Sequence, residues 1–191
     1  MRTFDRLETM PPSPQPTFVF AHMLVPHVPY IMDANCHPWP RDSTLYKDTS
    51  AQGRAALAAE LRCLNGRLLR VARAILARSS VPPIIIFQGD HGTQTLHPFD
   101  HIERPTTVAQ NAERFQAFGA YYLPDGGAVA VPDSMSIVNV LRYVFSSYFG
   151  ADLPPLPNTM YFSPWQRSYR LTEVDAHFRS VRAPPKLRTR S

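Results

Sequence analysis

The residues best suited to chemistry stand at the end of a β-type run, Ile84-Ile85-Ile86-Phe87-Gln88-Gly89-Asp90-His91-Gly92. A carboxylate and an imidazole sit side by side there, and in parallel sheets ligands gather beyond the carboxyl ends of strands. Adjacent residues of a continuing strand point to opposite faces. Gly89 and Gly92 permit a turn that aims both side chains at one centre. Oxygen from Asp90 and nitrogen from His91 suit Zn²⁺ or Mn²⁺ better than a thiolate-loving metal. The same residues also read as an Asp-His-Gly turn in which Asp90 caps nearby backbone, and the residue types alone leave both readings open.

A second group is His22-Met23-Leu24-Val25-Pro26-His27-Val28-Pro29-Tyr30. Prolines stiffen the chain around both histidines, which helps if the imidazoles must meet a charged group. A histidine beyond a strand can ligate a metal, donate to an oxyanion or act as a general acid, whereas a histidine in a Pro-rich loop can equally be an ordinary surface residue. The other histidines carry weaker signals. His37 sits in a Pro-Trp-Pro loop, His97 and His101 share a loop with Asp100, and His177 lies near the basic end. The chain has no GxxxxGK[ST] phosphate loop, GxGxxG, GxSxG elbow or HExxH.

The elements that must position these residues follow from periodicity. Thr17 to Ala21 reads as a short strand, followed by a Pro-rich loop to Ser50. Leu57, Leu61, Leu64, Leu68, Val71 and Ile75 repeat at helical spacing, so a helix should start near Ser50 and stop before Pro82. Pro83 to Phe87 is continuously apolar and β-branched, the pattern of a strand covered on both faces in a parallel sheet. A long loop, a short helix around Asn111 to Phe115 and a strand over Ala117 to Leu123 come next. Ser134 is a candidate N-cap for a helix with Ile137, Val138, Leu141, Val144, Phe145 and Tyr148 on a wide apolar face, closed by Gly150. A Pro-rich loop and a small hairpin over Tyr161 to Leu171 precede the basic end. The expected fold class is α/β, a small and mostly parallel sheet flanked by helices.

Composition bounds what such a fold can serve. The chain has 191 residues, 44% of them hydrophobic and 18% charged, which fits one ordinary domain and excludes a chain disordered for lack of apolar residues. Proline, at 20 residues, is about twice the usual ~5%, so loops should be many and stiff. The net charge of +5 belongs to Arg179, Arg182, Lys186, Arg188 and Arg190, with no acid among them in the last 14 residues; the rest sums to zero. The basic charge is therefore a tail and not a binding face, and no recognition element for nucleic acid accompanies it. Cys36 and Cys63 make no CxxC pair; they read as two thiols, with one bridge open to them in an oxidising compartment. No apolar run approaches the ~18 residues of a membrane span, and the first residues lack the apolar core of a secretory signal.

Together, FVFAHMLVPHVPY, ELRCLNGRLLRVARAILARSSVPPIIIFQGDHG, NAERFQAFGAYYLP and SIVNVLRYVFSSYFG resemble the C-terminal half of sulfatase-like proteins of the alkaline phosphatase superfamily. Lipoteichoic-acid synthases and phosphoethanolamine transferases belong to that superfamily. The stretches occur in family order over roughly residues 17 to 170, and the strand-DHG motif is the most specific. The resemblance implies a partial alkaline-phosphatase-like fold, with Asp90 and His91 as paired ligands of a divalent Mn or Zn ion. It implies that His27 contacts the phosphate or sulfate group of an ester substrate, with His22 as its neighbour. In the family a metal-activated Thr, Ser or formylglycine attacks phosphorus or sulfur.

That nucleophile and the remaining ligands belong to an N-terminal half which this chain is expected to lack, so no catalytic nucleophile is assigned. Gly89 stands where relatives often carry serine, and Gln88 also departs from the pattern. The expected division is a Pro-rich disordered lead-in over 1–16, the C-terminal part of a sulfatase-like domain over 17–172 and a basic tail over 173–191. The chain is then a hydrolase or phosphotransferase fragment, inactive alone, whose partner would be its N-terminal half or a membrane-anchored protein, as many relatives are membrane-anchored. The competing reading is a non-catalytic α/β interaction module that keeps the scaffold without the chemistry.

Overall fold

The computed structural model describes residues 2–40, 49–96, 106–164 and 167–182. They fall into two compact units, Met1–Phe87 with Ala120–Ala128, and Gln88–Gly119 with Val129–Ser191.

The first unit is organised by helices α1 (Arg2–Thr9) and α2 (Ala51–Arg78). The Ser50 hydroxyl caps α2 by accepting the Gly53 N–H at 3.1 Å, and the helix ends at Ser79, so both expected boundaries hold. Leu57, Leu64 and Val71 are buried, and Leu61, Leu68 and Ile75 pack beside them, which makes the leucine stripe a core face. The opening residues are not a disordered lead-in. Phe4 is buried in the cluster of Met32, Cys63, Leu64 and Val71, a burial that contributes about 2 kcal/mol. Ion pairs from Asp5 to Arg67 and from Glu8 to Arg67 and Arg70 hold α1 to α2, and Arg78 donates to the carbonyls of Leu7 and Glu8. The prolines end the helix at Thr9 without preventing it, because all of them lie downstream.

The two cysteines are not free thiols. Cys36 and Cys63 form a disulfide with their Cα atoms 5.2 Å apart and a sequence separation of 27. Spacing alone could not show this, because the pairing depends on how the loop folds back over α2. Closing such a loop contributes about 3.5 kcal/mol through the entropy of the unfolded chain. A second expectation fails over Thr17 to Ala21. This segment joins no sheet, and Phe18 and Phe20 are 80% and 81% exposed. Its β propensity is not realised, since no described strand lies beside it to receive its hydrogen bonds.

Among the described residues strand β1 (Ile85–Gln88) pairs only with β2 (Gly119–Tyr122), and the Gly89 N–H donates to Phe118 O at 2.9 Å. That bond sets the end of β1 beside the start of β2, the antiparallel sense. The described residues therefore hold helices and small antiparallel sheets, a mixed α/β arrangement without the expected mostly parallel sheet. Only Ile85 of β1 is buried, so the continuous apolar run is not covered on both faces. It is apolar because Phe87 also packs against the core cluster on α2.

The second unit contains α3 (Val108–Phe115), α4 (Ile137–Phe149) and a sheet of β3 (Met160–Phe162), β4 (Thr172–Val174) and β5 (Ser180–Arg182), all antiparallel. The expected hairpin is thus present and gains a third strand from the basic end. A capping box of Thr107 and Gln110 starts α3. Helix α4 starts after Ser136, two residues later than expected, and closes at Gly150 in the left-handed conformation, φ 67°. Its inward face is narrower than its sequence suggests. Val140 and Val144 are buried, but Val138, Leu141, Phe145 and Phe149 are exposed. Polar residues take the rest of the contact. Asn139 accepts the Leu156 N–H and donates to Leu156 O, both at 2.8 Å, while Arg142 donates to Pro154 O and Ser146 to Leu153 O. The proline-rich loop is laced to α4 by a polar stripe. No helix among the described residues is long and apolar enough to cross a membrane.

Candidate functional site

Asp90 and His91 follow β1 directly, and the structure keeps them together, with His91 Nε2 3.7 Å from Asp90 Oδ2. The Asp90 side chain is 88% exposed and that of His91 34%. The turn does not depend on unusual glycine dihedrals, since the positive-φ glycines of the described chain are Gly126 and Gly150. Gly92 is needed for a different reason. A Cβ there would stand 1.9 Å from Glu113 O and 2.9 Å from Gln116 O, so the end of α3 lies directly on it. The Gly92 N–H donates to Arg114 O at 2.8 Å across the same contact. Gly89 is less constrained, its nearest neighbour being His91 O at 3.3 Å.

Two residues of α3 that sequence reasoning passed over shape this turn. Glu113 Oε1 accepts the Thr95 N–H at 2.6 Å and the hydroxyls of Thr95 and Thr93 at 2.7 and 2.8 Å, and Oε2 accepts the Leu96 N–H at 2.9 Å. Burial pushes the Glu113 carboxyl up, but these donors together outweigh it and hold it below its ordinary value. Arg114 places a guanidinium nitrogen 2.7 Å from His91 Nδ1. Burial lowers this arginine from its ordinary range, against the opposing pull of the Asp90 and Glu113 charges. A glutamate and an arginine in a short amphipathic helix look like solvated surface in sequence, and only the fold carries them to the loop.

Arg114 bears on whether a metal fits. His91 Nδ1 lies 2.8 Å from Gly92 O as well as 2.7 Å from Arg114. With a proton on Nδ1 the ring donates to Gly92 O and leaves the Nε2 lone pair for a metal. With Nδ1 bare it accepts from Arg114, and the proton on Nε2 closes that nitrogen to a metal. The ring can hold one state at a time. In donor type Asp90 and His91 fit Zn²⁺ or Mn²⁺, but in number they fall short of the three protein ligands usual even in open sites. Among the described residues no group of three or more His, Cys, Asp or Glu could hold a metal ion. The pair does not by itself fit a resident metal.

His22 and His27 belong to the first unit, and Asp90 and His91 to the second. Both histidines are exposed, and His27 Nδ1 lies 2.6 Å from Val28 O. The bonds Val25–Pro26 and Val28–Pro29 on either side of His27 are cis. Pro38 and Trp39 return beside Met32 and Ile31, where the Trp39 N–H donates to Ile31 O at 2.9 Å. Beneath this loop Glu60 of α2, fully buried, accepts the Ile31 N–H at 3.1 Å. Burial raises the Glu60 carboxyl above its ordinary value, opposed by the N–H groups of Ile31 and Met32. His37 is committed to Asp33 at 3.3 Å, and His177 is exposed. His97, Asp100 and His101 lie outside the described residues. The basic end is partly engaged, because Asp175 accepts from Arg179 Nε and pairs with its guanidinium at 2.8 Å. No family model matches the chain, and no curated protein or solved structure matches it.

Proposed function

We propose that this chain carries part of a sulfatase-like, metal-dependent hydrolase or phosphotransferase centre acting on sulfate or phosphate esters, with a partial alkaline-phosphatase-like fold. The observation that carries the reading is the adjacent Asp90 and His91 at the end of β1, held by α3 with their polar atoms 3.7 Å apart. Asp90 and His91 contribute two ligands to a divalent Mn or Zn ion, and His27, with His22 beside it in sequence, contacts the ester's anionic group. An N-terminal half or a membrane-anchored partner supplies the nucleophile and the other ligands, so the chain alone is inactive. When bound, the metal would offset charge on the attacking and transferring oxygens.

Titration calorimetry of the full chain with Mn²⁺ and Zn²⁺ tests this against Asp90→Ala and His91→Ala. The expected result is weak binding that each substitution reduces by at least the roughly 10- to 100-fold typical of losing a supporting residue. Binding equal in all three proteins overturns the ligand roles. Tight wild-type binding lost in both variants overturns the partial-site reading, because the chain would then hold a complete site.

The second reading, a non-catalytic α/β interaction module, is favoured by Arg114. Its guanidinium, 2.7 Å from His91 Nδ1, favours the state in which Nδ1 accepts and the protonated Nε2 is closed to a metal, in competition with the state that donates to Gly92 O. Equal and negligible metal binding by all three proteins supports this module.

A further inference from the structure

Arg114 reaches the DHG turn from α3 with only part of its guanidinium spent there. Nη1 lies 2.7 Å from His91 Nδ1 and donates to Gly92 O at 3.4 Å. Nε and Nη2 make no hydrogen bond among the described residues. They are not shut away from water either, since the buried polar atoms without a partner include Arg67 Nε but no atom of Arg114. The Nε–Nη2 edge is therefore open to solvent. Half-buried as it is, Arg114 takes part in no ion pair among the described residues. The neighbouring Glu113 carboxylate is taken up by Thr93, Thr95 and Leu96, and the side chain of Asp90 is 88% exposed. The backbone of Arg114 is fixed as well, because its carbonyl accepts the Gly92 N–H at 2.8 Å. A guanidinium anchored at Nη1 and at its own backbone aims its free edge in one direction, so little freedom is lost when that edge is used. The two parallel N–H groups of such an edge match two oxygens of an oxyanion.

We propose that Arg114 is a substrate-binding residue, holding two oxygens of a sulfate or phosphate group through its Nε–Nη2 edge, beside Asp90 and His91. That this group belongs to an ester rests on the reading given under Proposed function; the contact itself needs no metal. Arg114 lies in the same unit as the Asp90–His91 pair, so this unit carries an anion contact of its own, apart from His27 in the other. Asp90 beside the edge repels an anion while its charge stands. Binding to the metal-free chain is therefore weak, with a dissociation constant on the order of 1 mM.

The test is titration of the full chain with sodium sulfate in EDTA at constant ionic strength. It is followed by the arginine Nε–H resonances in NMR, that of Arg114 being assigned by its loss in Arg114→Lys. A saturable shift of the Arg114 resonance is expected, and inorganic phosphate should give the same. Acetate should bind at least about threefold more weakly, since it carries one charge and not two. Calorimetry should find sulfate binding at least about tenfold weaker in Arg114→Lys, because lysine keeps the charge and loses the fork. Arg170→Lys, at an exposed arginine away from the turn, should bind as the wild type does. The absence of a saturable shift at Arg114 overturns the proposal whether or not the variant folds. Equal weakening in Arg170→Lys, or none in Arg114→Lys, also overturns it, because the anion would then answer to general positive charge. The metal reading fails separately. Sulfate binding in EDTA by a chain that binds no Mn²⁺ supports the Arg114 contact, whereas Mn²⁺ binding without sulfate binding overturns it.

Discussion

Two loops bear the candidate residues, and each is held by a helix through a glutamate, yet the two carboxylates behave oppositely. Glu60 on α2 supports the His27 loop from full burial with few backbone donors, and its carboxyl is raised. Glu113 on α3 supports the loop after His91 with four hydrogen bonds from Thr93, Thr95 and Leu96, and its carboxyl is lowered. A buried carboxylate is costly until enough donors replace its water. The number of donors, and not the presence of a glutamate, decides whether such an anchor favours or opposes its own charge. The loops also differ in what else secures them. A disulfide ties the first to α2, whereas close backbone packing at Gly92 ties the second to α3.

The largest effect should come from that packing. Gly92→Ala forces a Cβ against the carbonyl of Glu113 and is expected to cost about 3 kcal/mol in urea denaturation, as overpacking does. Gly89→Ala, with its nearest neighbour at 3.3 Å, should cost less than about 1 kcal/mol. Equal costs would mean that the end of α3 does not press on the DHG turn.

Next in size are the two carboxylates. Glu113→Gln should destabilise by about 1–2 kcal/mol at neutral pH, since it replaces charge-assisted bonds with neutral ones. Glu60→Gln keeps an acceptor for Ile31 and removes a buried charge, so it should be neutral or stabilising by up to about 1 kcal/mol. The pH dependence follows with opposite signs. Glu113 is depressed on folding, so its contribution is present above its unfolded value near 4.5 and is lost as pH falls through the lower folded value. Glu60 is raised on folding, so the unfolded chain ionises first. Stability is then greatest below about 4.5 and falls as pH rises toward the raised folded value. Thermal melts of the two variants across acid pH check both signs, and a shared direction would break the comparison.

The smallest effect concerns the metal pair. Arg114→Ala removes the donor that occupies His91 Nδ1 and a nearby positive charge, and should raise Mn²⁺ affinity by roughly threefold. A fall in affinity would mean that Arg114 supports ligation by His91.

Helix α2 was legible because a leucine stripe and a capping serine are local signals, and Gly150 closed α4 for the same reason. The adjacency of Asp90 and His91 was legible for the simplest of reasons, their being neighbours in sequence. Arg114 was not, because it lies 23 positions from His91 in sequence and no local pattern encodes that approach. A lone glutamate in a helix gives no local sign of burial, yet Glu60 is fully buried, on the same side as Leu57 and Leu64. The outward stripe of Val138, Leu141, Phe145 and Phe149 shows the reverse error, apolar periodicity taken as burial.

Legible from the residues alone are the elements whose signals span a turn or two of chain: the long helix with its Ser50 cap, the strand before the DHG turn, the Gly150 close of α4 and the stiff Pro-His loop. Hydrophobic period and capping chemistry act over such distances and need no partner. Tertiary structure alone decided which cysteines join, which carboxylate meets which loop, that α1 folds onto α2 and that β1 pairs with β2 in place of a parallel neighbour. Those outcomes depend on which surfaces meet, and contact between residues far apart in the chain leaves no periodic trace in the sequence.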